Sequence, residues 1–128
     1  MNTKGLITKL RNIISTGTGL ALTSVVTPEL PATGDNFIAI TILGGNPLDN
    51  ICGVQEYNIT CRALIRGTTN DTNSRELADK VFNCLHLAKN ITFDSNKIIQ
   101  IIAQVPVFVG KDNDLRNLYN VTFRIKEI

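Results

Sequence analysis

The stretch from Tyr57 to Asn90 constrains the fold more than any other part of the 128-residue chain. From Tyr57 to Ile65 apolar and polar residues alternate, which is typical of a β-strand with one buried face. After Arg66-Gly67 and a polar turn, apolar residues recur at helical spacing from Leu77 to Ala88. The pattern predicts a strand, a tight connection and an amphipathic helix that pack together.

The helix of this unit has candidate caps at both ends. Asn73 can cap the first turn, with Glu76 three residues on completing a capping box. The helix is predicted to run to about Lys89, with Asn90 as its C-terminal cap. His86, the single histidine, falls off the apolar stripe and is predicted to lie on the surface. No Cys, Asp or second His stands at a spacing that would complete a metal site or a catalytic triad with it.

The chain before this unit predicts one helix and two strands. The helix begins with Thr3 as its cap and ends at Gly17 and Gly19. Leu20 to Thr27 is predicted to be a strand because of its β-branched content. Phe37 to Leu43 is predicted to be a strand that is apolar on both faces, and such strands are normally covered on both faces.

The chain after it predicts a long strand and a hairpin. Lys97 to Val109 is apolar on both faces, and Pro106 within it indicates an edge position or a bulge. Strict alternation places Val105, Val107 and Val109 on the same face as Ile101 and Ala103. The turn from Gly110 to Leu115 then leads into a last alternating strand around Tyr119, and the two strands form a β-hairpin.

This order of elements predicts an α+β fold. We expect a mixed or antiparallel sheet of about five strands, one long helix packed across it and a short N-terminal helix. Residues 1–128 are expected to form a single domain, since this length supports one core of ordinary size.

Composition and charge exclude several classes of function. The chain is 43% hydrophobic and 19% charged with a net charge of +2, which fits a globular protein without a nucleic-acid-binding face. No apolar run approaches the ~20 residues of a membrane span. The three cysteines include no C-x-x-C pair, so we interpret them as buried thiols of a reducing cytosol. No metal or cofactor is expected.

Catalytic motifs are also missing from the sequence. There is no G-x-S-x-G run, no Gly-rich phosphate loop and no nucleophile that can be paired with a base. Asp112 and Asp114 could hold a divalent cation, but acidic turn formers at a solvated hairpin tip explain them more simply. The sequence therefore favours a protein that is not an enzyme.

Contact with other molecules is better supported. The connection from Gly44 to Gly53 carries Leu48 and Ile51, which either pack back on the domain or meet another molecule. Two helices cannot easily cover both faces of the predicted sheet, so a second copy could cover the rest and form a ring. Arg66 and Arg75, which flank the polar turn, are expected to be exposed. The candidate interface residues, on loops that the core does not require, are Leu48, Asp49, Ile51, Arg66, Arg75, Lys111, Asp112, Asp114 and Arg116.

Three segments carry a resemblance to a known family. They are Phe37 to Pro47 (FIAITILGGNP), Tyr57 to Leu85 with its Arg66-Gly67 and its Ser-Arg-Glu-Leu-Ala helix start, and Pro106 to Ile125 (PVFVGKDNDLRNLYNVTFRI). Together and in this order they resemble the tail terminator proteins of long-tailed bacteriophages, which are also described as minor capsid or tail completion proteins.

The resemblance implies a structural role in a virion. Such a protomer forms a hexameric ring at the head-proximal end of the tail, ends polymerisation of the tail tube and joins the tail to the head. The implied partners are further copies of the chain, the major tail tube protein and the head-tail connector protein. DNA can pass through the ring without sequence-specific binding, and no membrane is involved. The implied location is the virion, with assembly in the host cytoplasm.

Two alternatives stay open at this point. The chain could be another virion component, either a head completion or minor capsid protein or a tail tube subunit, which would bind the portal side or polymerise. It could also be a small α+β ligand-binding module or an enzyme, for which one histidine offers little chemistry. A terminator should have a solution mass near six protomers, or should be a monomer that assembles only on tubes.

Overall fold

The computed structural model describes residues 3–48, 56–86, 88–93 and 96–127. The N-terminal helix is followed by a 3-10 turn, Leu22–Ser24. The helices and strands are α1 Thr3–Thr18, β1 Val25–Val26, β2 Phe37–Leu48, β3 Glu56–Arg66, α2 Asp71–Leu85, β4 Lys89–Phe93, β5 Asn96–Ala103, β6 Val107–Lys111 and β7 Asn117–Glu127.

The strands form one mixed sheet in the order β1-β2-β3-β7-β5-β4, with β6 paired to β7. Strand β1 is parallel to β2, and the other pairings are antiparallel. Strands β5 and β6 lie one after the other along the same edge of β7. The predicted α+β class and mixed sheet are confirmed, although the sheet has more strands than the five expected.

Both helices cover one face of this sheet. Helix α1 buries an apolar stripe, with Leu6, Leu10 and Ile14 fully inaccessible to solvent. It meets the apolar stripe of α2 and alternate residues of β2, β3, β5 and β7 in one core. Phe123 on β7 is the largest of the fully buried side chains. Full burial of a side chain of this size stabilises the fold by about 1.5–3 kcal/mol.

The opposite face of the sheet is more polar than expected. Thr41, Arg62 and Thr122 stand side by side across β2, β3 and β7 there. On β2, Ala39 is buried and Leu43 is exposed, so the strand is only partly covered on its second face. The expected need for a cover over this face is therefore weaker than the sequence suggested.

The predicted ends of α2 are wrong. The helix begins at Asp71, because the Asn70 side chain accepts the backbone N–H of Asn73 at 3.2 Å and so occupies the N-cap position. It ends at Leu85, and His86 is its C-cap. Strand β4 begins at Lys89 and pairs with β5, so Lys89 lies opposite Gln100 in the sheet and does not belong to the helix.

Two predicted strands also differ from the structure. Only Val25–Val26 of the segment from Leu20 to Thr27 is a strand, because this short piece alone pairs with β2. The predicted strand from Lys97 to Val109 is interrupted at 104–106. The connection expected from Gly44 to Gly53 begins later than predicted, since β2 continues to Leu48 and pairs with β3 to its end.

The interruption between β5 and β6 changes which side chains face the core. Ala103 pairs with Phe123 and Val107 pairs with Asn120. The chain therefore takes four steps from Ala103 to Val107 where β7 takes three from Phe123 to Asn120. The extra residue acts as a bulge and shifts the alternation by one position. Phe108 consequently shares the helix-covered face with Tyr119, and Val107 lies on the other face. The predicted edge or bulge at Pro106 is confirmed, and the predicted common face for Val107 and Ile101 is wrong.

Candidate assembly surface

Arg66, at the end of β3, is buried rather than exposed. Its side chain donates hydrogen bonds from Nε to the Gly34 carbonyl at 2.9 Å and from Nη1 to the Pro31 carbonyl at 2.7 Å. The guanidinium also lies 5.7 Å from the centre of the Phe37 ring. The prediction that Arg66 is exposed is wrong, because the loop before β2 covers it and accepts hydrogen bonds from its Nε and Nη1.

The hairpin tip between β6 and β7 is organised by a second buried arginine, Arg116. Its Nε donates to Asp112 Oδ2 at 2.8 Å and its Nη2 donates to Asp114 Oδ2 at 2.9 Å. The Arg116 Nη1 nitrogen lies 3.7 Å from Asp35 Oδ1, and Arg66 Nε lies 3.9 Å from Asp112 Oδ2. We call these five residues the charged cluster.

The ionic states of the charged cluster follow from its contacts. Burial raises the pKa of Asp112, but hydrogen bonds from the Arg116 backbone N–H and guanidinium and from the Asp114 N–H together hold it below its ordinary value. Burial and the neighbouring Arg116 lower the pKa of Arg66. Because both tip carboxylates already bind Arg116, they do not form a free cation site. Arg66 and Arg116 thereby hold separate segments of the protomer together.

Arg75 differs from Arg66, although both flank the same polar turn. Its side chain is 64% exposed, and its Nη2 pairs with Asp71 Oδ2 at 3.2 Å. The other Asp71 oxygen accepts the Tyr119 hydroxyl hydrogen at 2.7 Å, and this bond lowers the pKa of Asp71. The predicted exposure of Arg75 is confirmed. Its role in contacts between protomers remains a prediction.

The remaining predicted interface residues are only partly described. Leu48 is the last residue of β2, while Asp49 and Ile51 lie outside the described residues. Lys111 is exposed at the end of β6, next to the tip. The structure therefore brings Arg66, Asp112, Asp114 and Arg116 together, leaves Arg75 and Lys111 in solvent, and does not test the interface role of any of them.

An apolar surface that the sequence reasoning missed runs along β5, β6 and the bend between them. Val105 at the bend is 67% exposed, and Phe108 still contacts Tyr119 edge to face at 5.5 Å between ring centres. We call this the β6 surface; it consists of Ile102, Val105, Val107, Phe108 and Val109, each about half exposed or more. Pro106 inside an apolar run was the signal that could have revealed it, since the bulge there places Val107 on the face that the helices do not cover.

A groove of mixed polar and apolar character lies at the other edge of the sheet. It has a volume of about 490 Å³ between α1 and β2, and its lining residues are Lys4, Ile7, Thr8, Arg11, Thr27, Pro28, Thr41 and Ile42. Leu43 follows Ile42 on β2 and is 52% exposed; Leu22 is 44% exposed, and its carbonyl accepts a hydrogen bond from Arg11, which also lines the groove. We call the groove together with Leu22 and Leu43 the α1–β2 surface.

The described residues offer little chemistry beyond these contacts. They contain no group of His, Cys, Asp and Glu side chains that could hold a metal ion. Burial raises the pKa of Cys61 to about 12 and that of Cys84 to about 11, so both stay protonated and unreactive at neutral pH. His86 is half-buried, and its Nδ1 accepts the Ala103 N–H at 3.2 Å. Within the described ranges, no helix is long and apolar enough to cross a membrane.

Comparison with known proteins relates the chain to others through its fold. Neither a family model nor a curated protein matches the sequence. The fold is similar to that of a chain in the solved structure described as "Virion of native gene transfer agent (GTA) particle", with a TM-score of 0.70 and 8% sequence identity. The similarity covers 94% of this chain and 90% of that chain. The two chains therefore share one α+β fold along nearly their whole lengths.

Proposed function

We propose that this chain is a structural protein of a virion. The observation that carries the proposal is the shared fold: nearly all of a virion chain and nearly all of this chain superpose. The described residues also offer no metal-ligand cluster, and their two described cysteines have raised pKa values, which fits a non-enzymatic role.

Within that class, we propose that the chain is a tail terminator of a long-tailed phage or a related particle. The support is the sequence resemblance in residues 37–47, 57–85 and 106–125. Such a protein forms a hexameric ring on the head-proximal end of the tail tube, stops its growth and meets the head-tail connector. Its partners are then copies of itself, the tube protein and the connector.

The interface residues of this proposal divide by their contacts in the protomer. Arg75 and Lys111 present exposed charges and can bind a partner directly. Arg66 and Arg116 are buried, so they support an interface by fixing the loop before β2 and the hairpin tip. Leu48, Asp49 and Ile51 are proposed to reach a neighbouring subunit or the tube. Replacing Leu48 and Ile51 by Asp should abolish ring formation, and unchanged assembly by light scattering would remove these residues from the interface.

Deleting the gene from the particle that encodes it tests the function. If the protein ends tube growth, electron microscopy of the lysate should show tails of uncontrolled, excessive length beside heads that carry no tail. Expression of the wild-type chain from a plasmid should restore joined particles with tails of uniform length.

Other outcomes of the same deletion identify the competing virion roles. Absence of any tube would indicate a tube subunit. Free tails of normal length beside complete heads would indicate a head completion protein. Production of normal, infectious particles would contradict the structural role altogether.

A further inference from the structure

We propose that the groove between α1 and β2 binds an acidic segment of a different protein of the particle, whose carboxylates pair with Lys4 and Arg11. The proposal rests on the proposed function in taking this partner to be a virion protein. The groove combines cations that have no carboxylate partner, hydroxyl groups that can only accept hydrogen bonds, and apolar side chains. Each of these features limits what can bind there.

The positive charge of the groove is not neutralised within the protomer. Lys4 and Arg11 line it, and no acidic residue is among those that do. No Asp or Glu precedes Glu29 in the sequence, and Glu29 itself is exposed outside the groove. Among the described residues, no ion pair involves Lys4 or Arg11. A carboxylate from another molecule would thus meet two cations and no competing anion.

Arg11 is held in position without being neutralised. Its Nε donates to the Val25 carbonyl at 2.6 Å, and its Nη2 donates to the Leu22 carbonyl at 2.9 Å. Both acceptors are uncharged backbone groups, and the described residues supply no acceptor for Nη1. Because the guanidinium is already fixed, a carboxylate that binds its remaining donors costs little further loss of side-chain freedom.

The spacing of the two cations matches a bound segment rather than a single small anion. Lys4 and Arg11 are seven positions apart on α1, which corresponds to about 10 Å along the helix axis at ~1.5 Å per residue. Ile7 lies between them and also lines the groove. A segment with two carboxylates can therefore reach both cations while an apolar side chain packs against Ile7.

The hydroxyl groups of the groove favour a polypeptide over a phosphate backbone. Thr8, Thr27 and Thr41 each donate their hydroxyl hydrogen to a backbone carbonyl of the protomer, at 2.8–3.0 Å. A hydroxyl has one hydrogen, so these oxygens can only accept hydrogen bonds from a ligand. The N–H groups of a polypeptide can donate to them, whereas a phosphate backbone offers only acceptors.

A third cation lies beside the groove, on the face of the sheet that the helices do not cover. Arg62 stands next to Thr41 across β2 and β3. Its Nε is buried without a hydrogen-bond partner, and no ion pair among the described residues involves it. The positive potential therefore extends beyond the groove and attracts further acidic residues of the same segment.

Substitutions on two sides of α1 test the site. The groove variant carries Lys4→Glu with Thr8→Glu, at two exposed lining positions. The matched control carries Lys9→Glu with Asn12→Glu, which makes the same change of charge on the same helix in a separate pocket beside Cys84. Circular dichroism checks the fold of both. Lys4→Gln with Thr8→Gln, which removes the charge instead of reversing it, replaces the groove variant if that fails to fold.

Each variant is expressed from a plasmid in the gene-deletion background, and the titre of functional particles is measured. We expect the control to match the wild type and the groove variant to lower the titre at least about tenfold, because like charges facing each other oppose binding. Changes in other genes that restore the titre of the groove variant should replace an Asp or Glu of another virion protein by a neutral or basic residue.

Three results would overturn the proposal. These are a folded groove variant that restores the wild-type titre, a control that lowers the titre equally, and restoring changes that never remove an acidic residue from another virion protein. Binding of random-sequence duplex DNA by the wild type but not by the groove variant would assign the groove to phosphate instead. A deletion defect that the groove variant repairs fully removes only the groove proposal, whereas normal particles after the deletion remove the virion function and this partner with it.

Discussion

The charged cluster and the β6 surface both differ in burial from what their sequences suggest, and they differ in opposite directions. Arg66 and Arg116 are charged residues next to turns, yet they are buried and bind partners within the protomer. Val105 and Val107 belong to an apolar run typical of a core strand, yet more than half of each is exposed. Residue type alone therefore predicts that Arg66 and Arg116 are exposed and that Val105 and Val107 are buried, and both predictions are wrong.

The difference has a physical cause in each region. A guanidinium carries five donors and can be buried when nearby carbonyls and carboxylates accept them, as those of Pro31 and Gly34 do for Arg66. An apolar strand residue of this sheet is buried only if the alternation of side chains places it on the face that the helices cover. One extra residue at the β5–β6 bend shifts the alternation and places Val107 on the opposite face. The charged cluster should thus contribute more to stability than the exposed side chains of the β6 surface do.

The largest expected effect comes from Arg66→Ala. Removing the side chain leaves the Pro31 and Gly34 carbonyls without their donor and takes a cation away from Asp112. We expect a loss of about 2–4 kcal/mol in the free energy of unfolding, measured by urea denaturation.

Arg75→Ala is the matched control for Arg66→Ala. It removes an equal charge from the other side of the same turn, where the arginine is exposed, and should leave the unfolding midpoint unchanged within error. Equal effects of the two substitutions would contradict the distinction between a buried and an exposed arginine.

Gly67→Ala should have the next largest effect. Gly67 donates its N–H to the Asn117 carbonyl at 2.9 Å and so links the end of β3 to the start of β7 beside the charged cluster. A side chain at this position would collide with Ser74 at the start of α2. We expect a loss of about 1–3 kcal/mol in unfolding free energy from this overpacking.

Gly19→Ala offers a comparison for Gly67→Ala. Gly19 has a φ of 77° but no atom within 4 Å of the position that a Cβ would take, so only backbone strain is introduced. A loss no larger than that of Gly19→Ala would show that the strand-to-helix connection yields to the collision.

The smallest expected effect is the pH dependence that Asp112 contributes. Its pKa is lowered in the folded state, so its stabilising contribution is complete above the pKa of the unfolded chain, about 4, and is lost as pH falls through the folded value. Asp112→Asn should flatten the decline in unfolding free energy below about pH 4. An unchanged acid profile would mean that the Arg116 contacts do not favour the ionised carboxylate.

Regular periodicity made much of the fold predictable. The alternation from Ile59 to Ile65 and the helical stripe from Leu77 to Leu85 both reflect the side chains that meet the core, so β3 and the body of α2 follow from sequence. The start of α2 does not follow from the sequence, because Asn70 and Asn73 are equally suitable N-caps by residue type. Only the connection after Gly67 decides that Asn70 is in position.

The site was less predictable than the fold because it depends on contacts between distant segments. Burial of Arg66 requires Pro31 and Gly34, and each lies more than 30 positions away in the sequence. Strand β4 is a short run whose pairing with β5 is also tertiary. At the β5–β6 bend, Pro106 indicated an irregularity, but the reversed faces followed from the pairing with β7, which no local pattern contains.

Sedimentation velocity of the purified wild-type chain over a wide concentration range tests the proposed tail-terminator function most directly. A terminator that closes into a hexameric ring by itself predicts one species of about 84 kDa, six times the 14.0 kDa protomer, that stops growing as concentration rises. A polymer that lengthens without limit would contradict the proposed function, and so would a species of 14.0 kDa that stays a monomer when tail tubes are added.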